Sequence, residues 1–384
     1  VHRYTTSGTF SVNLTVSSTY GQSPSTITKQ YTVSEPPTFP TDWQSIKTFI
    51  VSSGTGGTTA TPFRLVLRNV TGTDSGNICY LGSDVRSDYG DIRFTTSEGT
   101  QMPYWIESIS GNEAVVWVKP PSISPDGSQF RLYYNCATAI STSSGSSVFS
   151  FFEDFEGSSI LSGWTTDSGV SITTVSEGTN KVGLLTSTGV MGAGAYKSWT
   201  DGSGVLEYRI KLPQTTAFHG ISAYSGHASS QKGAWFFAGN SGNFYTYPPV
   251  VNYRTYTANQ WYSVGLAFKG NGKYDLYLDG TKVGTDISYR DTSTVDRIGL
   301  IGWTTGGRAY YDNIRMRPYL LSEPIVTEWI DPTQPLEANF SYNPSSGLSP
   351  LNVTFTDQST GPITSWSWTF GDGGSSGVSN PIHE

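Results

Sequence analysis

Charged residues are scarce in this chain of 384 residues. Asp, Glu, Lys and Arg make up 14% of it, whereas about 25% is usual in a soluble domain. The 30 acidic residues outnumber the 23 basic ones, for a formal net charge of −7. No cluster of Lys and Arg is long enough to form a phosphate-binding surface, so the sequence argues against nucleic acid as a partner.

Long hydrophobic runs and helical periodicity are also missing. No apolar stretch approaches the ~18 residues that a membrane-spanning helix needs, so we expect no membrane span in this segment. Instead, Ser, Thr and Gly separate short apolar runs, and aromatic residues reach 14%. This pattern is typical of β-sandwiches joined by turns. We therefore predict an all-β chain of several sandwich domains.

Motifs that carry chemistry are absent as well. There is no phosphate-binding glycine-rich loop and no His-Glu-x-x-His run. A retaining glycosidase needs two carboxylates about 5 Å apart, and Glu207 stands alone on its predicted strand. We predict that the chain is not an enzyme, with no catalytic residue and no organic cofactor.

Cysteine is limited to Cys79 and Cys136. They are 57 positions apart and form no Cys-x-x-Cys pair, which argues against a zinc site. We interpret the two as a single disulfide; two buried thiols are the alternative.

Location is indicated by other features. Four positions fit the N-glycosylation pattern, namely Asn13, Asn69, Asn339 and Asn352. Some of these matches are expected by chance in a chain rich in Ser and Thr. With the low charge they favour an extracellular or cell-surface location. The chain begins at Val1 rather than Met, and we interpret it as a piece of something longer.

The two ends of the chain carry matching strand patterns. Residues 7–16 alternate strictly, with one apolar face made of Phe10, Val12, Leu14 and Val16. Near the other end, Trp366, Trp368 and Phe370 share a face before a Gly-Asp-Gly turn. Two strands alone cannot bury a stable core. We therefore interpret residues 1–34 as part of an incomplete sandwich.

Residues 337–384 resemble the first half of a polycystic-kidney-disease (PKD) domain, a small Ig-like sandwich. The resemblance rests on Ser349-Pro-Leu-Asn-Val-Thr-Phe-Thr-Asp357 and on Trp366-Ser-Trp-Thr-Phe-Gly-Asp-Gly373. Residues 1–34 resemble the second half, through Gly8-Thr-Phe-Ser-Val-Asn-Leu-Thr-Val16. Together the two segments have 82 residues, about one Ig-like sandwich.

This split domain leads to the main functional prediction. Unpaired strand edges are templates for another chain, and a head-to-tail contact that does not close gives a filament. We predict a structural protein whose partner is a second copy of itself. The joint forms either in cis, within a tandem repeat, or in trans, by strand complementation. The predicted interface comprises Phe10, Val12, Leu14, Val16, Trp366, Trp368 and Phe370.

The middle of the chain resembles two further families. Residues 41–155 resemble an uncharacterised domain common in archaeal and bacterial surface proteins, through Pro103-Tyr-Trp-Ile-Glu107, Leu132-Tyr-Tyr134 and Phe152-Glu-Asp-Phe-Glu-Gly157. No activity follows from that resemblance. Residues 151–320 resemble a concanavalin-like (laminin-G-like) jelly roll, through Tyr274-Asp-Leu-Tyr-Leu-Asp-Gly280 and Tyr310-Tyr-Asp-Asn-Ile-Arg315. We predict domains at 41–150 and 151–320, with proline-rich linkers at 35–40 and 321–336.

The jelly-roll resemblance implies two candidate sites, because such folds often bind glycans or hold a structural Ca²⁺. Glu153, Asp154 and Asp312 are the candidate calcium ligands; hydrogen-bonded acids at strand ends are the alternative. Trp235, Tyr245, Tyr247 and Tyr253 are the candidate stacking platform for a glycan; core or interface packing is the alternative. A glycan-binding adhesin is thus the second functional hypothesis, ahead of a glycan-active enzyme.

Overall fold

The structure is a computed structural model. It describes residues 8–16, 25–33, 43–54, 57–157, 163–189, 193–199, 203–224, 234–239, 242–246, 250–289, 297–330, 337–359 and 366–384. Within these ranges the regular secondary structure is nearly all strand, with one short helix, α1 (Gly145–Val148), so the predicted all-β, multi-sandwich class is confirmed. None of the described helical residues forms a segment long and apolar enough to cross a membrane.

An antiparallel hairpin comes first, made of β1 (Gly8–Val16) and β2 (Ser25–Val33). Its register sets Phe10 opposite Tyr31 and Leu14 opposite Ile27. The strictly alternating sequence explains why this segment is extended. The side chains predicted to form one half of the assembly interface lie outside the described part of the chain, namely Phe10, Val12, Leu14 and Val16.

A β-sandwich follows, which we call the central sandwich. Its strands are β3 (Ser45–Ser52), β4 (Thr58–Thr59), β5 (Phe63–Arg68), β6 (Ile78–Tyr80), β7 (Arg93–Thr96), β8 (Gln101–Met102), β9 (Tyr104–Ser110), β10 (Glu113–Val118), β11 (Ser122–Ile123), β12 (Ser128–Tyr134) and, far downstream, β28 (Ile325–Ile330). One sheet has the order β6-β5-β10-β9, the other β28-β3-β12-β7-β8, and β11 pairs with β4. Alternate residues such as Leu65 and Leu67 fill the core between the sheets.

The position of β28 corrects the predicted linker at 321–336. β28 pairs antiparallel with β3 and adds an edge strand to the central sandwich. Val326 is buried in that core, and the Trp329 ring lies 4.9 Å from the Phe49 ring. The prolines on either side suggested a spacer, but Val326 and Trp329 supply the apolar contacts of a strand. The jelly roll is therefore an insertion within the central sandwich.

The inserted jelly roll has two facing sheets. Its strands are β13 (Phe151–Glu153), β14 (Thr165–Thr166), β15 (Val170–Glu177), β16 (Asn180–Ser187), β17 (Ala193–Ser198), β18 (Ser203–Lys211), β19 (His219–Tyr224), β20 (Ala234–Gly239), β21 (Asn243–Thr246), β22 (Val251–Thr255), β23 (Trp261–Lys269), β24 (Lys273–Leu278), β25 (Thr281–Ser288), β26 (Arg297–Gly302) and β27 (Arg308–Arg317). One sheet runs β15-β16-β27-β18-β23-β24-β25, with β13 also paired to β27; the other runs β14-β17-β26-β19-β20-β21-β22. Their inner faces bury the core.

Period-two alternation decides which residues leave that core. On β18, Leu206, Tyr208 and Ile210 face inward, and the residues between them lie on the outer face of the sheet. On β27, Ile314 and Met316 are likewise in the core. Charged residues that alternate with these positions therefore gather on one outer surface, which lies against the central sandwich.

The last segment, residues 337–384, forms a small unit that we call the C-terminal module. Its strands are β29 (Phe340–Asn343), β30 (Val353–Asp357), β31 (Trp368–Thr369), β32 (Ser375–Ser376) and β33 (Ile382–His383). Three of them form a sheet in the order β29-β30-β33, and β31 pairs with β32. Among the described residues, no strand pairs with the outer edges of this sheet.

Candidate functional site

The C-terminal module carries a cluster of aromatic side chains on one face. The Phe340 ring lies 5.3 Å from Trp368, and the Phe355 ring lies 5.2 Å from Phe370 and 6.3 Å from Tyr342. The register pairs Tyr342 with Phe355 across β29 and β30, which places them on the same side of the sheet. We call these five residues the aromatic face.

Hydrogen bonds fix the tryptophans at the edge of this face. Trp368 Nε1 donates to the carbonyl of Val378 at 2.8 Å, and Trp366 Nε1 donates to Asp357 Oδ2 at 2.8 Å. Two of the three predicted interface residues, Trp368 and Phe370, are thus in the aromatic face. Trp366 instead lies beside it, anchored to Asp357.

The aromatic face has little cover. Phe340 is 50% exposed and Tyr342 is 54% exposed, and nearby Ile382 is 67% exposed. In the described part of the C-terminal module, Pro381 alone is buried. A sheet with an apolar face normally packs it against a second layer, and contiguous exposed apolar surface of this kind marks an interaction site.

A second constellation lies where the jelly roll meets the central sandwich. Arg315 Nε pairs with Glu207 Oε2 and Arg315 Nη1 with Glu107 Oε1, each at 2.8 Å. Glu207 also pairs with Arg317 at 3.1 Å, and Arg317 with Glu323 at 2.7 Å. We call this group the junction network.

Aromatic rings enclose the junction network from the side of the central sandwich. The Arg315 guanidinium lies 5.1 Å from the Trp117 ring centre and 5.4 Å from that of Trp105. Trp117 Nε1 donates to Glu107 Oε2 at 2.8 Å. Burial opposes the charge on Glu207, but Arg317 and Arg315 outweigh that effect and lower its pKa to about 2. The network therefore stays ionised and ties the two domains together.

In the sequence, Glu207 is an isolated acid with no evident partner. The structure places Arg315 directly opposite it, because β18 and β27 are neighbours. The signal for this pairing was the alternation of Arg315, Met316 and Arg317, which puts two arginines on one face of a strand.

The predicted calcium ligands do not converge. Glu153 is occupied elsewhere, since it accepts hydrogen bonds from Trp164 Nε1 at 3.0 Å and from the amide of Phe155 at 3.1 Å. Asp312 instead accepts from Asn180 Nδ2 at 3.2 Å. Among the residues that the structure describes, no group of three His, Cys, Asp or Glu side chains is arranged for a metal ion.

Asp154 and Asp312 nevertheless influence each other. Burial raises the pKa of Asp312 to about 6, with the charge of Asp154 adding to the increase and Arg209 acting against it. Burial also raises the pKa of Asp154. Glu153, the last residue of β13, fits the alternative of a hydrogen-bonded acid at a strand end. Asp312 is hydrogen-bonded as well but lies within β27.

The two described members of the predicted glycan platform, Tyr245 and Tyr253, pack in different clusters. Tyr245 is buried beside Phe237, at 5.7 Å, and Phe218, at 6.3 Å, in a cluster separate from the main core. Tyr253 packs against the main core instead. The remaining two members, the Trp235 side chain and Tyr247, lie outside the described residues. Tyr245 and Tyr253 therefore do not form a joint stacking surface.

The two cysteines correct another prediction. Cys79 and Cys136 are free and buried, so the disulfide interpretation is wrong and the alternative of two buried thiols holds. Cys79 lies on β6 beside β5, and burial raises the pKa of its thiol. Cys136 follows β12, where its amide donates to Asp91 Oδ2 at 3.2 Å. The two thus belong to the two different sheets of the central sandwich.

The glycosylation positions differ in access. Asn339 and Asn352 are exposed in the C-terminal module, while Asn69 is half-buried. The side chain of Asn13 lies outside the described residues. Asn339 and Asn352 come one residue before Phe340 and Val353, so strand alternation sets them apart from the aromatic face.

A buried histidine on β19, His219, has no role in the sequence predictions. His219 is 0% exposed inside the jelly roll, and both of its ring nitrogens lack a hydrogen-bond partner among the described residues. Burial lowers its pKa to about 4. Gly302 and Gly307 border the ring so closely that an added Cβ would lie 3.0 Å or less from it. The histidine is therefore held neutral.

Comparison with known families gives one match. Residues 88–167 match a domain of unknown function, DUF2341. The match spans strands β7–β12 of the central sandwich and β13 and β14 of the jelly roll, including the aromatic residues around the junction network. It agrees with the prediction of an uncharacterised family domain in this region. The PKD resemblance and the archaeal and bacterial surface context stay predictions. No curated protein matches the chain.

Solved structures show distant similarity. A sialidase has a TM-score of 0.35 at 14% identity, over 56% of this chain and 21% of that protein, so the chain spans about a fifth of its length. A carbohydrate esterase of the Shiga toxin-encoding bacteriophage phi24B has a TM-score of 0.33 at 16% identity, over 43% and 94%. A botulinum neurotoxin type G receptor-binding domain has a TM-score of 0.32 at 12% identity, over 45% and 48%. Similarity at this level carries no argument about function.

Proposed function

We propose that the chain is a structural, self-associating extracellular protein. The observation that carries this proposal is the aromatic face of the C-terminal module. Five aromatic side chains lie together there, Phe340 and Tyr342 are about half exposed, and Pro381 alone is buried in the described part of the module. Such a face is stable when a second layer covers it.

The N-terminal hairpin is the proposed cover. Within the described residues, β1 and β2 pair only with each other. Their register sets apolar positions opposite one another, with Phe10 facing Tyr31 and Leu14 facing Ile27. A two-stranded hairpin is at best marginally stable alone. We infer that the hairpin of one unit completes the C-terminal module of the next.

The energetics favour this joint. An aromatic residue buries about 150–250 Å², so covering the exposed half of Phe340 removes about 100 Å² from water. At about 25 cal/mol per Å² this contributes about 2.5 kcal/mol. Backbone hydrogen bonds along an added strand contribute only about 1 kcal/mol each. Burial of an exposed aromatic side chain therefore contributes more to the affinity of one unit for the next than any single backbone hydrogen bond.

Sedimentation velocity on the full chain tests this proposal. Phe340→Asp should abolish concentration-dependent association, because it places a charge in the contact; from the area term alone it should weaken each joint by about 70-fold. Ser341→Asp is the matched control, since Ser341 is the exposed neighbour on the opposite face of β29. Leu14→Asp and Thr15→Asp form the same pair on β1.

The outcomes are distinct. Wild-type protein that remains monomeric at high concentration contradicts the proposal, as does association that survives both Phe340→Asp and Leu14→Asp. Denaturing electrophoresis of assembled material separates the two forms of the joint. A non-covalent joint releases single chains, whereas a tandem repeat stays at the mass of a multiple.

Three further parts of the proposal concern setting and chemistry. The exposed positions Asn339 and Asn352 support an extracellular or cell-surface location. We propose no catalytic role and no bound cofactor for the chain. A glycan-binding adhesin remains the alternative function; Trp235, Tyr245, Tyr247 and Tyr253 do not support it as a set, because two of them face different clusters.

A further inference from the structure

A cleft of about 860 Å³ lies between the central sandwich and the jelly roll. Ligand pockets of proteins commonly have about 300–1,000 Å³ and often occur at domain interfaces. The floor of this cleft is the outer face of β23. Along that strand, Ser263, Gly265 and Ala267 alternate with core residues. Because these three side chains are small, the floor leaves room for a flat ligand.

Larger side chains border this floor on both sides. The strand register places Tyr277 of β24 opposite Gly265, and Arg209 of β18 opposite Ser263. Asp279 lies at the end of the same wall, where it accepts a hydrogen bond from the Ser263 amide at 2.8 Å. The central sandwich provides the opposite side. The cleft thus combines an aromatic ring with hydrogen-bonding groups at short spacing.

The charges in the cleft, apart from that of the exposed Arg64, are already paired among the described residues. Glu207 pairs with Arg315 and Arg317, and Asp279 pairs with Arg254 at 2.6 Å. An ionic ligand would have to compete with these internal partners. A neutral ligand with many hydroxyl groups would not, because it can donate to the carboxylates and accept from the guanidinium groups without displacing a charge.

The geometry of the cleft is set before a ligand enters. Glu107 of the central sandwich holds Arg315 of the jelly roll at 2.8 Å. Both ends of the jelly roll are also attached to the central sandwich, since β28 returns to pair with β3. A preformed site avoids the cost of ordering its walls when it binds.

Peptide binding by strand addition does not fit this cleft. That mode needs an unpaired sheet edge, whereas β18, β23 and β24 are each paired on both sides. We propose that the cleft is a binding site for a neutral oligosaccharide. A sugar ring stacks on Tyr277, and its hydroxyl groups bond to Asp279, Arg209 and Ser263. This activity goes beyond self-association, since it uses neither the hairpin nor the C-terminal module.

Isothermal titration calorimetry on the full chain tests the proposal. The probes are hexasaccharides of glucose, N-acetylglucosamine, mannose and galactose, with a sulfated hexasaccharide as the anionic comparison. At least one neutral probe should bind with a Kd below about 1 mM. Tyr277→Ala should weaken that binding at least tenfold, whereas Tyr277→Phe, which keeps the ring, should stay within about threefold. Tyr310→Ala is the control, because Tyr310 is on the same sheet but outside the cleft.

Three results would overturn the proposal. They are no binding of any neutral probe up to about 10 mM, equal binding by wild type and Tyr277→Ala, and tighter binding of the sulfated probe than of every neutral one. Circular dichroism of each variant verifies that it is folded. Sedimentation of the same samples reports self-association separately, so failure of one proposal leaves the other to be judged on its own data.

Discussion

Acidification acts on two buried side chains of the jelly roll in opposite directions. The pKa of His219 falls from 6.5 to about 4, and that of Asp312 rises from 3.8 to about 6, both chiefly because of burial. The folded state resists protonation of His219, so its contribution to stability is complete above pH 6.5 and is lost as pH falls toward 4. The folded state favours protonated Asp312, so that contribution grows as pH falls from above 6 toward 3.8.

The sizes of these two effects follow from the pKa values. A tenfold change in proton affinity is worth about 1.4 kcal/mol. Between pH 7.5 and pH 5, His219 therefore accounts for a loss of about 2 kcal/mol in the free energy of unfolding, and Asp312 for a gain of about 1.4 kcal/mol. The two nearly cancel, so the wild-type jelly roll should change by less than about 1 kcal/mol from this pair.

Two variants uncover the opposing effects. In Asp312→Asn the gain is removed, so the free energy of unfolding should fall by about 2 kcal/mol between pH 7.5 and pH 5. In His219→Gln the loss is removed, so it should rise by about 1.4 kcal/mol. Urea titrations followed by tryptophan fluorescence measure this, and only the pH difference within each variant is compared. Equal pH differences in wild type and both variants would refute the reasoning.

Three further predictions concern the junction and the central sandwich. Arg315→Met should destabilise the folded chain by about 3 kcal/mol, because it removes the ion-pair partner of Glu107 and one of the two partners of Glu207. Arg315→Lys should restore part of this in the same urea titration. Val326→Ala should lower the free energy of unfolding of the central sandwich by about 1–2 kcal/mol. Thr327→Ala is the control and should change it by less than about 0.5 kcal/mol. No difference between the two variants would place β28 outside the sandwich. Cys79 and Cys136 should not react with a thiol reagent in the folded state, and two thiols should react after unfolding without reductant; fewer than two would restore the disulfide.

Local pattern was enough to predict several strands. The alternation in Val205-Leu-Glu-Tyr-Arg-Ile-Lys211 corresponds to β18. The alternation of Trp366, Trp368 and Phe370 predicted a shared face, and two of the three, Trp368 and Phe370, lie in the aromatic face. Both succeeded because side chains of a strand alternate with a period of two, which depends only on neighbouring residues.

Long-range pairing could not be predicted in the same way. β28 lies next to β3 although more than 270 residues separate them in sequence, and nothing in 321–336 identifies that partner. The spacing of Cys79 and Cys136 likewise does not reveal that they belong to different sheets. Glu153 was placed in a calcium site because of its position in the chain, but the orientation of its side chain toward Trp164 depends on the assembled sheets.

The insertion of the jelly roll decides how tension would pass through the chain. β3 follows the hairpin, β28 precedes the C-terminal module, and their antiparallel register sets Thr48 opposite Ile330. A pull between the hairpin and the C-terminal module therefore acts on β3 and β28 at the same end of their ladder. It breaks the hydrogen bonds of the ladder one after another rather than all at once. The jelly roll lies outside the load-bearing path while β3 and β28 remain paired. A stretched unit would yield first at β3 and β28, and the jelly roll would carry no load until that ladder has opened.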